Sequence, residues 1–182
     1  MDREIKADLF RYHGLTGIKG FFKGLRIPGF RYMYLLRKKS KSIKYSPGWI
    51  FFNFLLHRYS FKYGFQIYST TEIGEGFYIG HFGTIVINSR AKIGKNCNIT
   101  HGVTIGQANR GKLAGYPTIG NNVWIGTGSV IVGNITIGTN VLIAPNSFVN
   151  INIPDNSLAI GNPCKIILKD NPCEGYINFV LE

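Results

Sequence analysis

The stretch Ile119-Gly-Asn-Asn-Val-Trp-Ile125-Gly-Thr-Gly-Ser-Val-Ile131-Val-Gly-Asn-Ile-Thr-Ile137-Gly-Thr-Asn-Val-Leu-Ile143 returns isoleucine at every sixth residue. Outward from it, the same step reaches Val149 in one direction. In the other it runs through Ile105, Ile99, Ile93 and Ile87, and again through Ile79, Ile73 and Ile67. Glycine follows at positions 74, 80, 94, 106, 120, 126 and 138. Six is not a multiple of the helical period, and a single alternating strand does not single out every sixth residue. A solenoid of short flat strands with a corner every six residues does both. The β-branched isoleucine points inward and stacks on its counterparts in neighbouring coils, and the small residue beside it lets the backbone turn. The pattern predicts an all-β parallel solenoid over residues 66–167, preceded by a separate region at 1–65 and followed by a tail at 168–182.

Two breaks in phase carry information. From Ile79 to Ile87 the step is eight, and from Ile105 to Ile119 it is fourteen. The second break ejects a loop at Gln107–Tyr116, and loops of this kind at solenoid corners often line a binding face.

Composition narrows the class further. The chain has 182 residues, 45% hydrophobic and 16% charged, which suits a packed core and excludes global disorder. Its three cysteines, Cys97, Cys164 and Cys173, are odd in number and lack metal-ligand spacing. Met1–Phe10 is charged and has no apolar core of a signal peptide, so the expectation is a cytoplasmic protein with reduced thiols. The net charge of +12 sits almost wholly in residues 1–65, which carry 14 Lys/Arg against 3 Asp/Glu.

Of four histidines, His13 and His57 lie in no motif. His81 falls two residues past Ile79 and His101 two past Ile99, three hexapeptide steps later. The two rings are expected in one column on successive coils, about 4.8 Å apart, beside the inserted loop. The column continues to Thr127 and Pro145. Two histidines with no Cys or carboxylate in the column are too few to hold a metal, so none is expected.

The segments Tyr78-Ile-Gly-His-Phe-Gly-Thr-Ile-Val-Ile-Asn88, Ile99-Thr-His-Gly-Val-Thr-Ile-Gly106 and Gly161-Asn-Pro-Cys-Lys-Ile166 resemble the hexapeptide-repeat acyltransferases, in particular the serine acetyltransferase group. The first two segments look closest to the branch found in exopolysaccharide clusters, such as the colanic acid acetyltransferases. The resemblance implies a left-handed β-helix, a homotrimer with the loop overhanging a site between subunits, and acetyl-CoA as co-substrate. It implies His81 as general base, with His101 either orienting His81 or contacting the acceptor. It places the pantetheine arm against Gly106, Thr127 and Pro145, and Lys165 near the CoA phosphates. The chemistry suits an imidazole. The thioester is already activated, and the attacking hydroxyl needs only a base of ordinary pKa about 6.5 and donors for the oxyanion, such as corner N–H groups.

Departures from the serine acetyltransferase pattern bear on the acceptor. The acidic partner expected for the catalytic histidine is Gln66 here, which counts among the candidate acceptor-binding residues. The Asp expected before that histidine is Gly80, and the Arg-His pair expected before Pro117 is Gly115-Tyr116. These losses point to a sugar hydroxyl on a glycan or lipid-linked intermediate of surface polysaccharide, with Tyr78, Phe82 and Tyr116 as stacking faces. A serine O-acetyltransferase, an amino-sugar N-acetyltransferase and a non-catalytic solenoid are the competing readings.

The front carries 16 of the 25 aromatic residues. Short helices are expected at about 4–12, 28–40 and 48–63. Lys/Arg mixed with Phe, Trp and Leu suits either a cap on the open end of the solenoid or peripheral contact with an anionic membrane. No nucleic-acid motif is present, and no such partner is expected.

Overall fold

A computed structural model describes residues 1–181. Fifteen strands follow four helices: β1 (Phe65–Ile67), β2 (Glu72–Ile73), β3 (Tyr78–Ile79), β4 (Ile85–Ile87), β5 (Lys92–Ile93), β6 (Asn98–Ile99), β7 (Thr104–Gly106), β8 (Thr118–Ile119), β9 (Val123–Ile125), β10 (Val130–Val132), β11 (Thr136–Ile137), β12 (Val141–Ile143), β13 (Phe148–Val149), β14 (Ser157–Ile160) and β15 (Lys165–Leu168). They form three parallel faces of a β-helix of about five coils. The first face stacks β1-β4-β7-β10-β13, the second β2-β5-β8-β11, and the third β3-β6-β9-β12-β14, closed by β15 running antiparallel.

The sixfold step is the register of this stack. Ile67, Ile87, Ile105, Ile131 and Val149 lie over one another on the first face. Ile73, Ile93, Ile119 and Ile137 do so on the second. Ile79, Ile99, Ile125 and Ile143 do so on the third. All are buried and form one continuous core. The corners between the second and third faces carry their own ladder. Asn96, Asn122, Asn140 and Asn156 adopt left-handed backbone, which Asn tolerates best after Gly, and Asn140 Nδ2 donates to Asn156 Oδ1 at 2.7 Å.

The front folds as α1 (Arg3–Phe10), α2 (Gly17–Gly24), α3 (Pro28–Lys41) and α4 (Pro47–Tyr63). Pro28 and Pro47 start their helices where no N–H is needed, and Ser46 Oγ caps α4 by accepting from Trp49 N at 3.2 Å. Three of these helices match the sequence expectation, and α2 does not appear in it. Its sequence, Gly-Ile-Lys-Gly-Phe-Phe-Lys-Gly, has poor helical propensity. Packing selects it instead, because a Cβ on Gly24 would lie 2.5 Å from Leu9 Cδ1 and 2.9 Å from Phe30 Cδ1.

Two buried arginines bolt the helices to the first coil. Arg37 pairs with Asp8 at 3.0 Å and donates to the carbonyls of Ile73 and Gly74. Asp8 also accepts from Phe77 N at 2.9 Å. Burial pushes the Asp8 carboxyl upward, and the charge of Arg37 opposes that. Arg11 donates to Gly76 O at 2.8 Å and to Asn98 Oδ1. The front therefore does cap the open end of the solenoid. Beyond β15 the chain turns back along the third face. Cys173 packs on Leu142 and Ala144, Tyr176 meets Trp124 at 4.8 Å, and Asn178 O accepts from Arg11 Nε at 2.9 Å.

Candidate active site

The two extra residues between Ile79 and Ile87 fall at the corner between the third and first faces. Register is 20 from Ile79 to Ile99 but 18 from Val86 to Thr104, so the excess lies between them. Gly83 sits in this bulge at φ +138°, where an added Cβ would stand 3.0 Å from the Cβ of His101. The missing side chain lets the chain fold over His101 and bring His81 beside it. The rings meet edge to face with centroids 5.7 Å apart. Both side chains are exposed, and among the described residues neither imidazole takes part in a hydrogen bond. The column continues as read from the sequence. Thr127 follows Ile125 and gives its hydroxyl to Thr100 Oγ1 at 3.3 Å, and exposed Pro145 stands one coil on. Lys165 is exposed on β15 opposite Ile160, one coil beyond Pro145.

Other residues do not join this cluster within one chain. The inserted loop leaves from the corner between the first and second faces, across the width of the first face from the histidines. Gly106 ends β7 at that same far corner, paired with Val132. Tyr116 is there too, its hydroxyl accepting from Arg90 Nη1 at 3.0 Å with the guanidinium 5.4 Å above its ring. Gln66 is the exposed residue of β1. It donates to Tyr68 Oη at 3.2 Å and lines a cavity under α3 and α4. Tyr78 is half-buried against Tyr12, ring centroids 4.6 Å apart, so it offers no free stacking face. Phe82, in the bulge itself, is 67% exposed.

The corner amides are also spoken for. Gly80, Gly83, Gly102, Gly126 and Gly128 all donate to backbone carbonyls of neighbouring coils or of Tyr63, so these N–H groups are not free for an oxyanion. Sequence reasoning missed Arg90. Its signal was its place two residues past Asn88, whose Oδ1 accepts from Arg90 N at 2.9 Å and turns the chain toward the loop. A pair of imidazoles thus stands at one corner of the first face and a cation–aromatic pair at the next.

A six-residue parallel solenoid with this corner column is the architecture of hexapeptide transferases. Residues 116–150 match the family model described as bacterial transferase hexapeptide (six repeats). The chain is 34% identical over 161 residues to the chloroplastic serine acetyltransferase 1 of Arabidopsis thaliana, covering 88% of this chain and 48% of that protein. It superposes on Neisseria gonorrhoeae serine acetyltransferase in complex with serine at TM-score 0.74 and 29% identity, covering 91% of this chain and 68% of that one. It superposes on the Brucella abortus serine acetyltransferase in complex with coenzyme A at TM-score 0.76 and 26% identity, covering 91% and 67%. The chain thus carries the hexapeptide-transferase repeat over part of its length and has serine acetyltransferases among its relatives. It spans about half the length of the Arabidopsis relative.

These relatives overturn the sugar acceptor of surface polysaccharide read from the sequence. That reading weighed missing amino-acid ligands position by position along one chain. The relatives, one at 34% identity over 88% of this chain, are serine acetyltransferases, so Gly80 or Gly115-Tyr116 alone does not exclude serine.

Proposed function

We propose that the protein is an acetyl-CoA-dependent serine O-acetyltransferase working in the cytoplasm as a homotrimer. The observation that carries this reading is the edge-to-face pair of His81 and His101 at the column corner of a fold whose relatives are serine acetyltransferases. The acceptor oxygen attacks the thioester carbonyl as His81 takes its proton. The C–S bond then breaks, and the same proton passes to the departing thiolate. Transfer is direct, without an acyl-enzyme. His101 orients His81 or contacts the acceptor.

The pantetheine groove runs along Thr127 and Pro145 of one copy and is walled by Gly106 and the Gln107–Tyr116 loop of the next, with Lys165 toward the phosphates. Arg90, at the same corner as that loop, is placed to receive the carboxylate of serine. Release of free CoA thiol, measured with serine, simple sugars and nucleotide sugars as acceptors, tests the reading. Serine-dependent release that is lost in His81→Ala is the expected result. Release with a sugar and not with serine overturns it.

A further inference from the structure

Helix α4 is apolar on two sides. Its inner side, with Phe52, Leu55, Leu56, Tyr59 and Tyr63, packs on the core. Its outer side carries Ile50, Phe51, Phe54 and Phe61, exposed by 56%, 57%, 65% and 79%. These positions recur at helical spacing and form one stripe along the helix, with Arg58 within it and Lys62 at its end. A contiguous run of four large apolar side chains in water marks an interaction surface, because single exposed residues are common and aligned ones are not.

The charge around the stripe selects the occupant. Between Leu9 and Thr71 the sequence has 12 Lys/Arg and no Asp or Glu. Along the flank of α4 lies a cavity of about 620 Å³, lined by Lys39, Lys44, Trp49, His57, Ser69 and Thr70 among others and by no carboxylate. The cavity and the stripe are continuous, since the His57 ring that lines one meets Phe61 of the other at 4.8 Å. Lys39 is partly buried there with its ammonium 5.4 Å from the Trp49 ring, and burial pushes its pKa down. Among the described residues, neither Lys39 nor Lys44 has an ion-pair partner. A second copy presenting the same surface would set cations against cations. An anionic sheet with an apolar interior satisfies both features at once. Among the described residues no helix is long and apolar enough to cross a membrane, so contact would be at the surface.

We propose that the outer face of α4 docks on an anionic phospholipid bilayer, with Phe51, Phe54 and Phe61 entering the acyl boundary and Lys39 and Lys44 meeting lipid phosphates. The end of α4 reaches the histidine bulge, where Gly83 N donates to Tyr63 O at 2.9 Å, but the proposal does not depend on the acceptor.

Flotation of the full chain with phosphatidylcholine vesicles, with and without phosphatidylglycerol, tests it. Binding to the mixed vesicles at low salt, at least about tenfold weaker to phosphatidylcholine alone and lost at high salt, is expected. Phe51→Ser/Phe54→Ser should abolish it, and Lys39→Ala/Lys44→Ala should weaken it about tenfold. Phe51, Phe54 and Lys44 are exposed and Lys39 is partly so, and an unchanged melting curve shows that the variants fold. No binding, equal binding to both vesicles, or variants that bind like the parent would overturn the proposal. So would an oligomer of the parent that Phe54→Asp takes apart in sedimentation, because the stripe would then be a contact between copies.

Discussion

The ring of His101 stands edge to face against that of His81, at 86° and 5.7 Å between centroids, although the two residues are a whole coil apart. The arrangement lets one imidazole touch a substrate while the other restricts how it turns. His81→Ala is expected to lower kcat about 10²–10⁴-fold, the usual worth of a positioned general base. His101→Ala separates its two roles in steady-state kinetics. A fall in kcat at unchanged KM for the acceptor marks an orienting residue, and a rise in KM marks a contact with the acceptor.

Gly83 holds the pair together through what it lacks. Gly83→Ala places a methyl group 3.0 Å from His101 Cβ on backbone at φ +138°. The expected cost is about 1–3 kcal/mol of stability, read as a lower melting temperature. The fall in kcat should exceed that of a substitution of equal stability cost placed elsewhere in the coil. Equal losses from both would show that the bulge does not position the histidines.

Asp8 is 1% exposed and holds Arg37, itself 5% exposed. Asp8→Ala strands a guanidinium between α3 and the first coil, and chemical denaturation should show a loss of about 3–5 kcal/mol. Replacing both residues by apolar ones should recover much of it, because the pair's own desolvation cost disappears with the pair.

The thiols differ in reach. Burial pushes Cys97 up to about 12, and it is 0% exposed. Cys173 is buried under the tail, and Cys164 is only half-buried. A thiolate-selective reagent at pH 8 should label Cys164 in the native chain and reach Cys97 and Cys173 only after denaturation, as read by peptide mapping. Early labelling of Cys97 would mean that the second coil opens locally.

The solenoid was legible because the periodicity is geometric: each isoleucine named from the sequence occupies its column in the structure. His81 over His101 followed from counting steps. The remaining site residues came from the resemblance and from residue type, because a linear repeat assigns a residue to a column but not what its side chain touches. The resemblance grouped Gly106 with Thr127 and Pro145, and Tyr116 was read as a stacking face with Tyr78 and Phe82, while the chain sets Gly106 and Tyr116 a face away from the histidine column. Gln66 and Tyr78 were assigned to an acceptor, yet Gln66 meets Tyr68 two residues on, and Tyr78 packs against Tyr12 of the helical cap, which has no period. Helix α2 was missed because buried Gly20 and Gly24 carry packing information that reads locally as helix-breaking.

The returning tail has a consequence for how the molecule comes apart. Arrays of stacked repeats ordinarily melt from their ends, each end coil fraying without regard to the other. Here Asn178 is held by Arg11 of the cap, and Phe179 lies against Phe10 and His13. Peeling off the last coil therefore pulls on the first, and loosening the cap frees the last. The two ends share one melting event, so the array should unfold as a closed loop does, in a single cooperative step, and clipping the tail should restore stepwise fraying.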